Sequence, residues 1–336
     1  MDLKHIVLLT TGGTIASKPN PETGLLSSGA LTGEELAEMC NLPDEINLTV
    51  ESIFQVPSNQ MNPEKLFRLK GRIETLLTDS QIDGVVVTHG TDTLEETAYY
   101  LDLTISNDKP IVVTGSQRGP FELGTDAMVN IRQSILAAAS KKLRDFGTVV
   151  LFNERLFSAR YVKKVHASNV DGFTSEGYGY LGTVDQEIVT IYQKPLYRES
   201  YRLKRDYPVI DIIPFYLGVD DRFVKASISS GARGMILEGS GRGHVSPEMV
   251  PAIEEAVNKG LIVVLTTKSG EGEVRHVYDF SGSVFDLTNK GVIIGRDYDS
   301  KKARIKLAVM LAAGATQQEI ELAFLNNRAR KIEQGI

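Results

Sequence analysis

Apolar residues recur along this chain in two rhythms. The runs Ile6–Leu9, Val85–Val87, Ile111–Val113 and Val149–Phe152 are apolar at every position. Such runs predict strands buried on both faces, as in a parallel sheet covered by helices. Between them the spacing becomes helical, over Pro63–Leu77, Leu94–Ile105 and Asp126–Ala139. In the second of these, Leu94, Ala98, Leu101 and Ile105 share one stripe, and Thr93 with Glu96 three residues on predicts a capping box. Alternating strands and helices predict an α/β fold built on a doubly wound, mostly parallel sheet.

The rhythm breaks across Lys194–Pro208, a stretch rich in basic residues and bounded by Pro195 and Pro208, which reads as a surface linker. It then resumes with strands at Val209–Ile213, Gly234–Leu237 and Leu261–Thr266. Helices are expected near Asp220–Ser230, after Ser246-Pro247-Glu248, and over Lys301–Ala313 and Gln317–Asn326. The expected organisation is a larger N-terminal domain over 1–195, a linker over 196–208 and a smaller C-terminal α/β domain over 209–336.

Composition narrows the class. Of 336 residues, 42% are hydrophobic and 24% charged, which is ordinary for a folded chain. A net charge of −6 offers no general footprint for nucleic acid or for an anionic membrane. The longest apolar runs, such as Leu261–Leu265, are too short to span a bilayer. The N-terminus shows neither the apolar stretch nor the cleavage site of a signal peptide, so a cytoplasmic location is expected. The single cysteine, Cys40, excludes an intrachain disulfide; following Leu36, Ala37 and Met39 at helical spacing, it reads as a packed thiol. The five histidines lack the i, i+4 spacing of a metal site, and neither metal nor cofactor is expected.

Ligands of open parallel sheets bind where strands end, and two strand ends here are rich in hydroxyls. The first strand runs into Thr10-Thr11-Gly12-Gly13-Thr14-Ile15-Ala16, whose paired glycines allow close backbone approach. The run Val85–Val87 leads into Thr88-His89-Gly90-Thr91-Asp92-Thr93, placing a hydroxyl and a carboxylate at a helix N-terminus. Taken singly, each has a plain structural reading, as a turn or as a helix cap.

Together they resemble the two signatures of the bacterial-type L-asparaginases, a family of two-domain α/β amidohydrolases. Ser58-Asn59-Gln60-Met61-Asn62 resembles that family's substrate-clamping loop, and Gly115-Ser116-Gln117-Arg118 the loop after the next strand. Arg160 with Lys164, Gly239-Ser240-Gly241-Arg242-Gly243 and Lys302-Ala303-Arg304 also follow in family order. The resemblance implies that Thr11 attacks the side-chain amide of L-asparagine, forming an acyl-enzyme and releasing ammonia. It further implies that Thr91, Asp92 and Lys164 form a proton-handling set, that Ser58 and Asn59 clamp the substrate, and that backbone N–H groups near Gly90, Thr91 and Ser116 bind the oxyanion. Self-association as a homodimer or homotetramer is implied as well. The family's lid corresponds to Ser17–Ser28, a Pro- and Ser-rich stretch expected to form no regular element. Where the family's lid carries a tyrosine, this chain has Leu25 or Leu26. Two alternatives stay open: an amidase for another small amide, such as glutamine or D-asparagine, and a catalytically impaired sensor of asparagine or aspartate.

Overall fold

The computed structural model describes residues 3–20, 22–23, 26–27, 35, 38–196 and 198–325. They divide into two compact units, Met1–Ser200 and Tyr201–Ile336.

The first unit is built on an eight-stranded sheet. Its strands are β1 (Lys4–Gly12), β4 (Ile46–Val56), β5 (Gly84–Thr88), β6 (Ile111–Thr114), β7 (Thr148–Phe152), β8 (Arg155–Ser158), β11 (Gly182–Asp185) and β12 (Ile188–Ile191). Two short ribbons stand beside it: β2 (Lys18–Pro19) with β3 (Leu26–Ser27), and β9 (Lys163–Lys164) with β10 (Phe173–Thr174). Across the main sheet the order is β4-β1-β5-β6-β7-β8-β11-β12. Pairing is parallel from β4 through β7 and antiparallel from there to β12. All residues of β5, β6 and β7 are buried, as their unbroken apolar composition demands. The chain passes from β1 to β4 on one side, then returns to β5 on the other. The reversal at β1 is the topological switch point, where the strand ends leave a crevice.

Helices α1 (Pro63–Thr78), α2 (Leu94–Thr104) and α3 (Ala127–Ala139) cover the sheet. From α3, Ile131 and Ile135 pack on Ile6, Leu8, Val86 and Val112, all fully buried. Each such side chain contributes about 1.5–3 kcal/mol by leaving water. Helix α1 begins as its sequence suggests, with the Asn62 side chain accepting from the Lys65 N–H and proline in the first turn. Helix α2 does not. The expected capping box is absent, because the Thr93 hydroxyl makes no cap bond and donates instead to the Ser58 carbonyl at 2.8 Å. A tertiary acceptor 35 residues away has displaced the local one.

One further expectation changes. Ser17–Ser28 is not wholly irregular: Lys18 and Pro19 pair with Ser27 and Leu26. The intervening turn is aided by Asn20 Oδ1, which accepts from the N–H groups of Glu22 and Thr23. Leu25, and Leu36 and Ala37 at which helical spacing is expected, lie outside the described residues. Cys40 is buried as a packed thiol, and burial pushes its pKa up to about 12.

The second unit has a four-stranded, all-parallel sheet, β13 (Ile210–Pro214), β14 (Gly234–Gly239), β15 (Ile262–Thr267) and β16 (Ile293–Ile294), in sequence order. One face packs on α4 (Arg222–Ser229), α5 (Val250–Asn258) and α6 (Val284–Asn289) through Val224, Ile253, Ala256 and Leu287. The opposite face is covered by α7 (Ser300–Ala313), and α8 (Gln317–Leu325) follows it. Helix α7 departs from an apolar stripe: Lys306 is fully buried, with its ammonium bonded to the Tyr298 hydroxyl and the Ala323 carbonyl, both at 2.9 Å. Among the described residues, no helix is long and apolar enough to cross a membrane.

Candidate active site

Strands β5 and β6 end at Thr88 and Thr114, in register with Thr10, and β1 runs on to Gly12. In β1 the pairing with β4 then shifts between Thr10 and Gly12, an irregularity of the kind that re-aims side chains beside functional sites. Thr11 sits at that shift, 2% exposed, and its hydroxyl donates to the Thr88 carbonyl at 2.9 Å. The loop beyond it touches the loop beyond β5. Gly13 has a φ of 82°, and a Cβ there would lie 2.5 Å from the N and Cα of Gly90. A Cβ on Gly90 would in turn meet the Ser58 side chain at 2.9 Å. The three segments therefore close on one another only because two of them carry glycine at the contact.

Three residues distant in sequence are joined directly. Lys164 Nζ donates to Thr91 Oγ1 at 2.8 Å and to Asp92 Oδ1 at 2.7 Å. The lysine side chain is 14% exposed and the aspartate 70%, so the set is buried at its base and open at one carboxylate. Having accepted from the ammonium, the Thr91 hydroxyl donates its own proton to Gln117 Oε1, at 3.4 Å. Ser58 opens a short 3-10 turn, Ser58–Gln60, in which Ser58 is buried and Asn59 exposed. This turn is tied to the start of α2 through the Thr93–Ser58 bond. Ser116 is buried, but its hydroxyl turns to the Arg118 carbonyl at 2.7 Å. Asp126 holds that loop by accepting from the N–H groups of Gln117 and Arg118 and from Asn130 Nδ2.

Beneath Gly90 lies His89, fully buried. Its Nδ1 is 2.8 Å from the Gly90 carbonyl, an acceptor only, so Nδ1 carries the hydrogen. Nε2, 3.0 Å from Thr97 Oγ1, then accepts from that hydroxyl. Burial holds the imidazole neutral, with a pKa lowered from 6.5 to about 4.

The residues singled out from the sequence thus fall into two groups. Thr91, Asp92 and Lys164 share hydrogen bonds, and Gly90 packs against Ser58. Thr11 joins them through the carbonyl of Thr88 and the Gly13–Gly90 contact, while the Ser116 and Asn59 side chains are linked to the rest only through their loops. Sequence reasoning passed over the roles of Glu95, which accepts the backbone N–H of Lys164, and of Gln117, His89 and Asp126. The signal for Glu95 was slight: an acidic residue in the first turn of a helix ordinarily reads as a complement to the helix dipole. Among the described residues, no group of three or more His, Cys, Asp or Glu is placed to hold a metal ion.

Comparison with known proteins agrees along the length of the chain. Residues 5–197 match the family described as Asparaginase, N-terminal, and residues 209–324 match the Glutaminase/Asparaginase C-terminal domain. The L-asparaginase of Bacillus licheniformis is 54% identical over 310 residues, covering 92% of this chain and 96% of that protein. The glutaminase-asparaginase of Pseudomonas fluorescens biotype A is 32% identical, covering 96% of this chain and 90% of that one. Among solved structures, the probable cytoplasmic L-asparaginase of Campylobacter jejuni superimposes with a TM-score of 0.86 at 31% identity, over 96% of this chain and 99% of that one. With both family domains matched in order, and with these relatives alike from end to end, the chain belongs to the asparaginase family.

Proposed function

We propose that this chain hydrolyses L-asparagine to L-aspartate and ammonia, with Thr11 as nucleophile. The observation that carries the reading is the Lys164–Thr91–Asp92 set at the mouth of the crevice that Thr11 enters from β1. The Thr11 hydroxyl must first turn from the Thr88 carbonyl, which binds a proton but cannot remove it. Its oxygen then adds to the carboxamide carbon while its proton passes through Thr91 to Lys164, which accepts only as the free amine. Backbone N–H groups near Gly90, Thr91 and Ser116 hold the oxyanion. Collapse breaks the C–N bond, the leaving nitrogen takes up the proton, and ammonia departs. Water attacks the resulting Thr11 ester by the same route and releases aspartate.

Asp92, largely exposed, takes the substrate ammonium, and Ser58 with Asn59 clamps the opposite end. The name glutaminase-asparaginase of the Pseudomonas relative favours L-glutamine as a second amide. Ammonia release from both amides, with Thr11→Ala and Thr91→Ala alongside, tests the assignment. The expected outcome is asparagine turnover lost by at least about 10³-fold in each variant. Undiminished turnover in Thr11→Ala would remove the nucleophile, and tight binding of asparagine without turnover by the parent chain would leave a sensor. We further propose a homodimer or homotetramer, read by light scattering, and a cytoplasmic location, supported by the Campylobacter relative and read by cell fractionation.

A further inference from the structure

Lys164 is carried by the β9–β10 ribbon, in which Lys163 and Lys164 pair with Thr174 and Phe173 and with no other strand. A ribbon this short has little stability of its own. The place of Lys164 therefore has to be set by anchors from the packed part of the unit. One is Glu95. It lies in the first turn of α2, 2% exposed, and its Oε2 accepts the backbone N–H of Lys164 at 2.7 Å. A second is Gln117, whose Nε2 donates to the His166 carbonyl at 3.1 Å while its Oε1 accepts from Thr91. The other side of the ribbon is held by Asp171, which accepts from Asn153 and Arg155, and by the Phe173 ring packed on Phe152. The first anchor grips the residue that carries the ammonium, and the second ties the following turn to the ammonium's partner.

Glu95 binds the main chain of Lys164, leaving the ammonium to Thr91 and Asp92. From this geometry we infer that Glu95 is a positioning residue, setting the depth of the ribbon so that the Lys164 ammonium meets the Thr91 hydroxyl. The inference rests on the proposed role of Lys164 in proton transfer. A displacement of about 1 Å from such a site is enough to slow turnover by up to 10²-fold, whereas substrate contacts made elsewhere stay as they were.

The test uses the full-length chain with Glu95→Asp, Glu95→Gln and Glu95→Ala. Each is assayed for kcat and KM on L-asparagine and for amide hydrogen exchange across residues 160–175. Glu95→Asp withdraws the acceptor by one methylene. It is expected to lower kcat about 10-fold or more, to move KM by less than about 3-fold, and to speed exchange in the ribbon alone. Glu95→Gln keeps an oxygen at the same reach and restores most of kcat. Wild-type kcat and exchange in Glu95→Asp would overturn the inference. So would a Glu95→Gln variant as impaired as Glu95→Asp, which would make the charge the operative property. Should Glu95→Ala fail to fold, the other two variants still decide. A parent chain without amide turnover marks failure of the functional reading, and the exchange comparison then decides Glu95 separately.

Discussion

His89 shows what burial does to one residue of the signature. Its imidazole donates to the Gly90 carbonyl and accepts from Thr97, an arrangement that needs the neutral ring. The unfolded chain takes up a proton near 6.5, while the folded chain resists it down to about 4. Between those values the unfolded state holds more protons, so stability falls as pH drops through the window and is unaffected by this group above it. The full span corresponds to about 3 kcal/mol. The part between pH 6.5 and pH 5 is about 2 kcal/mol, and urea midpoints at about pH 7.5 and about pH 5 should differ by that order. Glu51, Asp83 and Glu273, whose carboxyls lie below their ordinary values of 4.5, 3.8 and 4.5, add to the acid loss only at lower pH, once the unfolded carboxyls take up protons. His89→Gln, which keeps a donor and an acceptor but does not titrate, should therefore remove most of the slope between these two pH values. A variant with the parent's full pH dependence would clear His89 of the effect. The sequence named the histidine, but its tautomer follows from the Gly90 carbonyl that its Nδ1 meets, and the folded turn of α2 supplies the Thr97 hydroxyl that donates to Nε2.

Among the elements, strands and helices with a strong apolar period were readable in advance, and short or mixed ones were not. Strand β4 at the sheet edge is half-buried, so its residues alternate instead of forming a run. The β9–β10 and β11–β12 pairs are two and four residues long on each strand, too short to carry a period. The capping box failed for a different reason: the Thr93 hydroxyl had a competing acceptor brought close by the Ser58 turn. Two glycines test how the elements meet. Gly13→Ala would put a methyl 2.5 Å from the Gly90 backbone at a φ of 82°, against the main chain of His89 and Gly90 with no flexible side chain to yield. It should cost more than about 2 kcal/mol and abolish ammonia release. Gly71, exposed within α1, has nothing within 4 Å of the added methyl. Gly71→Ala should instead stabilise by about 0.5–1 kcal/mol and leave turnover unchanged. Urea denaturation of both variants separates a glycine required by contact from one merely tolerated.

On the scale of the whole molecule, the apolar residues gather into separate cores in the two units. The stretch from Tyr192 to Val209 carries no regular element among its described residues, and Lys194, Arg198, Arg202, Lys204 and Arg205 are exposed there. Brief trypsin treatment should therefore cut first after Arg198, Arg202, Lys204 or Arg205, Lys194 being protected by Pro195, giving two fragments that mass spectrometry can assign. Early cuts elsewhere would show that this stretch is better protected than its exposure suggests. The sequence by itself determined the parallel strands, the helices between them, and the two glycine- and hydroxyl-rich ends where a ligand would be met. Those properties are local, since each is written in the spacing of neighbouring side chains. The tertiary structure alone decided that Lys164 reaches Thr91 across 73 residues, that Glu95 grips its main chain, and that Thr93 serves Ser58 instead of its own helix. Such meetings follow from strand order and packing, which bring together residues whose separation along the chain carries no trace of their contact.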